Sequence, residues 1–170
     1  MLVIFVLSSF SIFGALTDDQ RIIADEPAPA DNRRFQTLGF SLGTTFADPL
    51  IIASIHGTFP IAQNVFFEIG CDFGFRSIYE DVTGYNSIHP FAHIGLFMPF
   101  RKRGGFFAGA GGGYKIALYE FDGASTNVNV FGFNVTAGFN FWDRINISYT
   151  LRTNFTSASN KLALGFVHRF

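Results

Sequence analysis

The chain has 170 residues, with 12 basic and 13 acidic side chains, 24 phenylalanines, 18 glycines and one cysteine. Aromatic residues reach 18% while charged residues stop at 15%, against about 25% in ordinary soluble domains. That balance excludes a disordered chain and the positive field of a nucleic-acid binder, and the lone Cys71 excludes an intramolecular disulfide or a cysteine zinc cluster.

Leu2 to Phe13 is apolar apart from Ser8, Ser9 and Ser11, and Gly14-Ala15 follows. The stretch is too short to span a bilayer and matches the apolar core and cleavage end of a signal peptide, although no Lys or Arg precedes it. Residues 1–15 are therefore assigned to an export signal, the alternative being a buried N-terminal strand. Leu16 to Arg34 carries Asp18, Asp19, Asp25, Glu26 and Pro27-Ala28-Pro29-Ala30. Dense charge without periodicity predicts a flexible periplasmic tail over 16–34.

From Phe35 to Phe170 the sequence alternates with period two between turn residues. Strands are expected near Phe35–Ala47, Leu50–Pro60, Asn64–Tyr79, Ile88–Phe100, Phe106–Glu120, Asn127–Phe141, Arg144–Phe155 and Asn160–Phe170. Tight connections at Pro60–Gln63, Arg101–Gly105 and Trp142–Arg144 recur at intervals of about 41 residues, one strand pair per interval. No segment has a useful 3.6-residue pattern, and no run of about 18 apolar residues occurs. The pattern is that of a meander able to close into an up-and-down barrel.

One face of these strands is apolar along nearly its full length. It carries Leu38, Phe40 and Leu42, then Ile51 and Ile55, Phe67, Ile69 and Phe73, Ile94, Leu96 and Met98, and Phe131, Phe133, Val135 and Phe139. The other face mixes Gly, Ser, Thr and Asn with charged residues. An eight-stranded interior is only just wide enough for side chains to fill it, so the phenylalanines and leucines of every strand cannot all point inward. The apolar face must look outward, and lipid is the medium that tolerates it. The expected class is all-β, an eight-stranded antiparallel up-and-down transmembrane β-barrel over 35–170; a lipocalin-like soluble barrel is the alternative.

The last strand alternates Leu162, Leu164 and Phe166 and ends on Phe170, with His168 where an aromatic residue would be more usual. This end resembles the signal by which bacterial outer-membrane barrels are recognised for insertion. With the strand pattern before it, the chain resembles the small eight-stranded outer-membrane proteins of the OmpX, OmpA-membrane-domain and OmpW type. The resemblance implies the outer membrane of a diderm bacterium and both termini in the periplasm. It implies contact with outer-membrane lipid, and with the barrel assembly machinery through Leu162, Leu164, Phe166 and Phe170.

Glu68, Asp72 and Arg76 share one inward face, and His56, His93, Lys115 and Arg152 come to the same side from other strands. Buried charges persist only when paired, so a cross-lumen ion-pair network is expected. It acts as a structural plug or, by resemblance to the OmpA membrane domain, as a gate. No short metal-ligand spacing accompanies these groups, and neither a metal nor another cofactor is expected. Gly109, Gly111 and Gly113 leave interior space that Phe91 and Phe97 can fill. No histidine is followed two positions later by Ser, as in lipid-acting barrels, so no catalysis is expected. Outward aromatic residues Phe59, Phe67, Phe100, Phe106, Phe141 and Phe170, with Trp142 in a turn, are expected to form a girdle at the periplasmic membrane interface. Two functions follow: a monomeric, adhesin-like surface-interaction protein that contacts a host or surface ligand, or a narrow OmpW-like channel for small solutes.

Overall fold

The computed structural model describes residues 35–45, 49–77, 79 and 82–170; the expected signal segment and tail, 1–34, lie outside the described residues. Eight strands follow in chain order: β1 Thr37–Thr45, β2 Ile51–Ala62, β3 Val65–Phe75, β4 Gly84–Pro99, β5 Gly104–Phe121, β6 Ala124–Phe141, β7 Ile145–Thr153 and β8 Ala158–Arg169. Each pairs antiparallel with its neighbours, and β1 pairs β8 from Thr37↔Arg169 to Thr45↔Lys161, which closes the barrel. Closure leaves no sheet edge inside the wall.

Local chemistry sets the connections. Gln63-Asn64 joins β2 to β3 with Asn64 at φ 61°, and Asp122-Gly123 joins β5 to β6 with Gly123 at φ 84°. Asn-type and Asp-Gly turns supply the left-handed backbone that two-residue hairpins need. The β2–β3, β4–β5 and β6–β7 connections lie at one end of the barrel, together with Phe35 and Phe170; this end is the turn rim. The other end, the hairpin rim, holds the β5–β6 hairpin. Pro90 sits within β4 and has no N–H to donate, so the β4–β5 ladder skips from Ile88↔Ile116 to Phe91↔Gly113 without changing register.

Three boundaries differ from expectation by three residues or more. β3 ends at Phe75 rather than Tyr79, because Arg76 turns to φ 66°. β4 begins at Gly84, inside the segment read as a loop to Ser87. β6 begins directly after the Asp122-Gly123 turn instead of at Asn127. The long strands are therefore β4, β5 and β6, at 16, 18 and 18 residues, while β3 has 11.

The packing is inverted relative to a soluble protein. Among the described residues ten hydrophobic side chains are buried, whereas thirty-four large ones are exposed, all around the outer wall and rims. Four of the buried apolar groups, Phe35, Phe66, Phe97 and Phe107, cluster near the turn rim and fill the interior there. Phe35 stacks on Phe97 at 4.2 Å and meets Phe66 edge-on at 5.0 Å. Glycines make room for these rings. A Cβ on Gly95 would stand 2.5 Å from the Phe66 ring, and one on Gly105 2.6 Å from Phe97.

The outward face of β6 marks the apolar wall. Phe131, Phe133, Val135, Phe139 and Phe141 line it, followed towards the hairpin rim by Asn129, Asn127 and Ser125. Residues 131–141 match the roughly 9–11 residues that a tilted strand needs to span a bilayer. Val135→Arg should lower stability by about 2–4 kcal/mol, and Asn129→Arg on the same face by about 0–1 kcal/mol. Urea midpoints of the barrel folded into lipid vesicles measure both; equal losses would move the boundary.

Candidate functional site

Above the aromatic plug the lumen is polar and its groups are assembled in layers. In the lower layer His93 Nδ1 lies 2.8 Å from Glu68 Oε2. An ionised carboxylate only accepts, so His93 donates from Nδ1; the Nε2 of the neutral ring then accepts the Asn134 amide N–H at 3.2 Å. Thr136 and Thr150 hydroxyls meet at 3.1 Å, and Asn140 donates to Asn146 at 2.7 Å. His56 is buried beside this layer. A cavity of 30 Å³ between His56, Glu68, His93 and Lys161 is large enough for a single water.

Phe91 separates the two polar layers. Its ring stacks on His93 at 4.8 Å, and the Lys161 ammonium lies 5.6 Å from its centroid. The inward positions of β4 thus run His89, Phe91, His93, a column of rings at the strand's two-residue repeat.

Asp72 is the centre of the upper layer and is 2% exposed. Lys161 Nζ donates to its Oδ1 at 2.8 Å and to Ser54 Oγ at 3.1 Å, while Arg152 Nη2 donates to Asp72 Oδ2. His89 Nδ1 lies 3.8 Å from the same Oδ2, beyond hydrogen-bond range. Two cations therefore converge on one buried carboxylate. Above this floor a cavity of 310 Å³ opens at the hairpin rim, lined by Ser87, His89, Tyr119, Val130, Asn134 and Arg152 among others.

The expected ion-pair residues divide. Asp72 meets Arg152, and Glu68 meets His93, with His56 adjacent. Arg76 is a correction: it lies past the end of β3, exposed, because its positive φ breaks the extended alternation that would have turned it inward. Lys115 has the expected inward parity and lines the same cavity as Asp72 and Arg152. Its ammonium lies 5.8 Å from the Tyr85 ring centroid. The sequence reading missed Lys161, His89 and Asn134. All three stand on the inward parity of their strands, and Lys161 directly precedes the outward Leu162, so the signal was present.

The expected girdle residues lie on the outer wall or at the turn rim. Phe59 faces Phe67 across β2–β3, Phe106 meets Phe139 edge-on at 5.3 Å, and Phe141 lies 6.1 Å from the exposed Trp142. Phe100 and Phe170 are exposed at the same rim. Leu162, Leu164 and Phe166 all point outward on β8, the strand that closes the barrel.

No protein-family model matches this chain, and no curated protein matches it in sequence. Solved structures do match in shape. Neisserial surface protein A superposes with a TM-score of 0.59 at 12% identity, over 79% of this chain and 96% of its own. The N-terminal β-barrel domain of Pseudomonas aeruginosa OprF gives 0.61 at 9%, over 78% and 96%. Ail, the attachment invasion locus protein of Yersinia pestis, gives 0.55 at 14%, over 79% and 96%. The fold is that of the small eight-stranded transmembrane β-barrels.

Removing Asp72 leaves two cations in the lumen with no carboxylate between them. Asp72→Asn should cost about 3–5 kcal/mol, the range for breaking a buried charge pair. Glu68→Gln keeps an acceptor for His93 and should cost no more than about 1.5 kcal/mol. Urea titration of the refolded barrel measures both, and equal losses would deny Asp72 its central place.

Proposed function

We propose that this protein is an integral outer-membrane barrel of the surface-interaction type, exported by its N-terminal segment, non-catalytic and monomeric. Its hairpin rim faces outward and its turn rim faces the periplasm. The observation that carries the reading is the form of the hairpin rim. Among the described residues β6 pairs with β7 only from Phe133 to Phe141, whereas it pairs with β5 along its whole length. Ala124 to Gly132 therefore stand beyond the closed wall with one edge unpaired, and this stretch holds no charge and no proline. Such an edge accepts an extended segment of another protein through backbone hydrogen bonds. Two of the structural neighbours carry names that fit this class, a surface protein and an attachment invasion locus protein. The outward Leu162, Leu164, Phe166 and Phe170 suit recognition by the assembly machinery, and the rim aromatics suit the periplasmic bilayer interface.

A narrow channel for small solutes is the second reading, and the 310 Å³ cavity at the mouth is the feature in its favour. Against it stand the layer around Asp72 and the four rings below, which fill the lumen in series. In planar bilayers the refolded protein should show no stable conductance steps. Reproducible steps in the wild-type barrel would favour the channel.

Surface display is tested by labelling. In a Cys71→Ala background, Asn127→Cys should react with a membrane-impermeant maleimide on intact cells, and Lys102→Cys only after the outer membrane is permeabilised. The opposite pattern would invert the barrel.

A further inference from the structure

The turn rim carries a strong charge bias that the lumen does not explain. Arg101, Lys102, Arg103, Arg144 and Arg169 cluster there with Asp143 as the acidic side chain among them, while Glu120 and Asp122 lie at the opposite end. Asp143 is already committed. Its Oδ1 accepts the Gly104 N–H at 3.0 Å and Arg169 Nη1 at 2.8 Å, tying the start of β5, the β6–β7 turn and the end of β8 together. Arg103 and Arg144 are exposed, and neither has a carboxylate partner among the described residues.

These groups surround one cavity of 440 Å³, lined by Arg103, Trp142, Asp143, Arg144, Phe166 and Arg169 among others. Its two sides differ in chemistry. The guanidinium groups of Arg103 and Arg144 form a cationic side. Trp142 and Phe166, 66% and 57% exposed, form an apolar side continuous with the outer wall. Trp142 is held there at φ 53° by the turn that Asp143 anchors.

We propose that this cavity is a headgroup site for an anionic phospholipid of the leaflet that meets the turn rim. The phosphate diester lies between Arg103 and Arg144, and the acyl chains descend along Phe166. Arginine forks suit phosphate oxygens bidentately, and basic groups at a bilayer surface attract anionic lipid. A soluble anion would use the two arginines and leave the aromatic side bare, so the lipid is the occupant that uses the whole cavity. The inference rests on the membrane-barrel reading and adds the lipid class.

Trp142 is the sole tryptophan of the chain and reports directly on the site. The full chain is refolded in zwitterionic micelles and titrated with dihexanoyl phosphatidylglycerol, with dihexanoyl phosphatidylcholine and glycerol phosphate as comparison probes. Phosphatidylglycerol should give a saturable change in Trp142 emission, and neither comparison probe should match it. The double variant Arg103→Gln/Arg144→Gln should weaken binding by roughly tenfold or more, and Arg101→Gln, outside the cavity, by less than about twofold. Raising the salt should weaken wild-type binding, which keeps the proposal testable if the double variant does not fold. Equal response to phosphatidylcholine, equal binding by glycerol phosphate, an unaffected double variant or salt-independent binding would each overturn it. A barrel that inserts into vesicles, resists heat in gels and shows no lipid preference would sink this inference while leaving the membrane reading intact.

Discussion

The narrowness of an eight-stranded lumen governs the rest of this structure. The interior has room for small polar residues, a few rings and a few charges, and for little else. Apolar side chains from eight strands must then mostly face outward, and period-two alternation places Leu162, Leu164 and Phe166 of β8 and the phenylalanines of the membrane half of β6 there, while Ala163 and Val167 of β8 turn inward. The backbone accepts this exposure because closure of β1 on β8 pairs the wall's hydrogen-bonding groups within the barrel, the condition for a β structure in lipid. Hydrophobic burial against protein contributes one compact cluster, the four phenylalanines at the turn rim.

A lumen built this way exchanges an apolar core for polar groups that have to satisfy one another. Asp72 takes two cations, and Lys161 completes its donation on Ser54. His93 spends both ring nitrogens, one on Glu68 and one on Asn134. A buried pair of this kind is weak as a source of stability, because desolvation consumes most of the Coulomb gain. Its cost when broken is large, so the network penalises registers that would separate its members. Asp72 and Lys161 are 89 residues apart in sequence, on β3 and β8. Their contact therefore forms only when the whole wall has closed in the right shear.

Alternation made the strands, their faces and the barrel class legible, because parity is local. Height within the barrel is not local, and there the sequence reading ran out. Arg76 has the parity of Asp72 but stands beyond the strand, where a positive φ ends the repeat. Lys161 stands on the inward face of the last strand, and no sequence rule says which distant strand it will meet. Ile52 and Phe66 are almost fully buried although both are apolar, since the lumen accepts a large side chain wherever a facing glycine gives way, as Gly95 does for Phe66. The glycines of a strand pattern are thus informative about their neighbours' size, which parity alone does not convey.

Two independent features of β6 end at nearly the same residue. Its outward apolar run stops at Phe131, with Asn129, Asn127 and Ser125 beyond. Its pairing with β7 stops at Phe133, with Ala124 to Gly132 left open on that side. The first feature is a property of side chains and the second of backbone, and nothing in strand geometry requires them to coincide. Lipid does require it. An unpaired backbone edge in hydrocarbon costs several kcal/mol for each unsatisfied group, so the ladder has to run through nearly all of the apolar outer face, and here it stops two residues short of Phe131. Once the strand emerges into water, both constraints lapse together: Asn can replace Phe, and the edge can stay open. The coincidence fixes the height of the bilayer on the barrel more firmly than either feature alone. It also explains why an edge so poorly defended by charge or proline is tolerable, since all of it but Phe131 and Gly132 lies past the apolar run, where water can satisfy it.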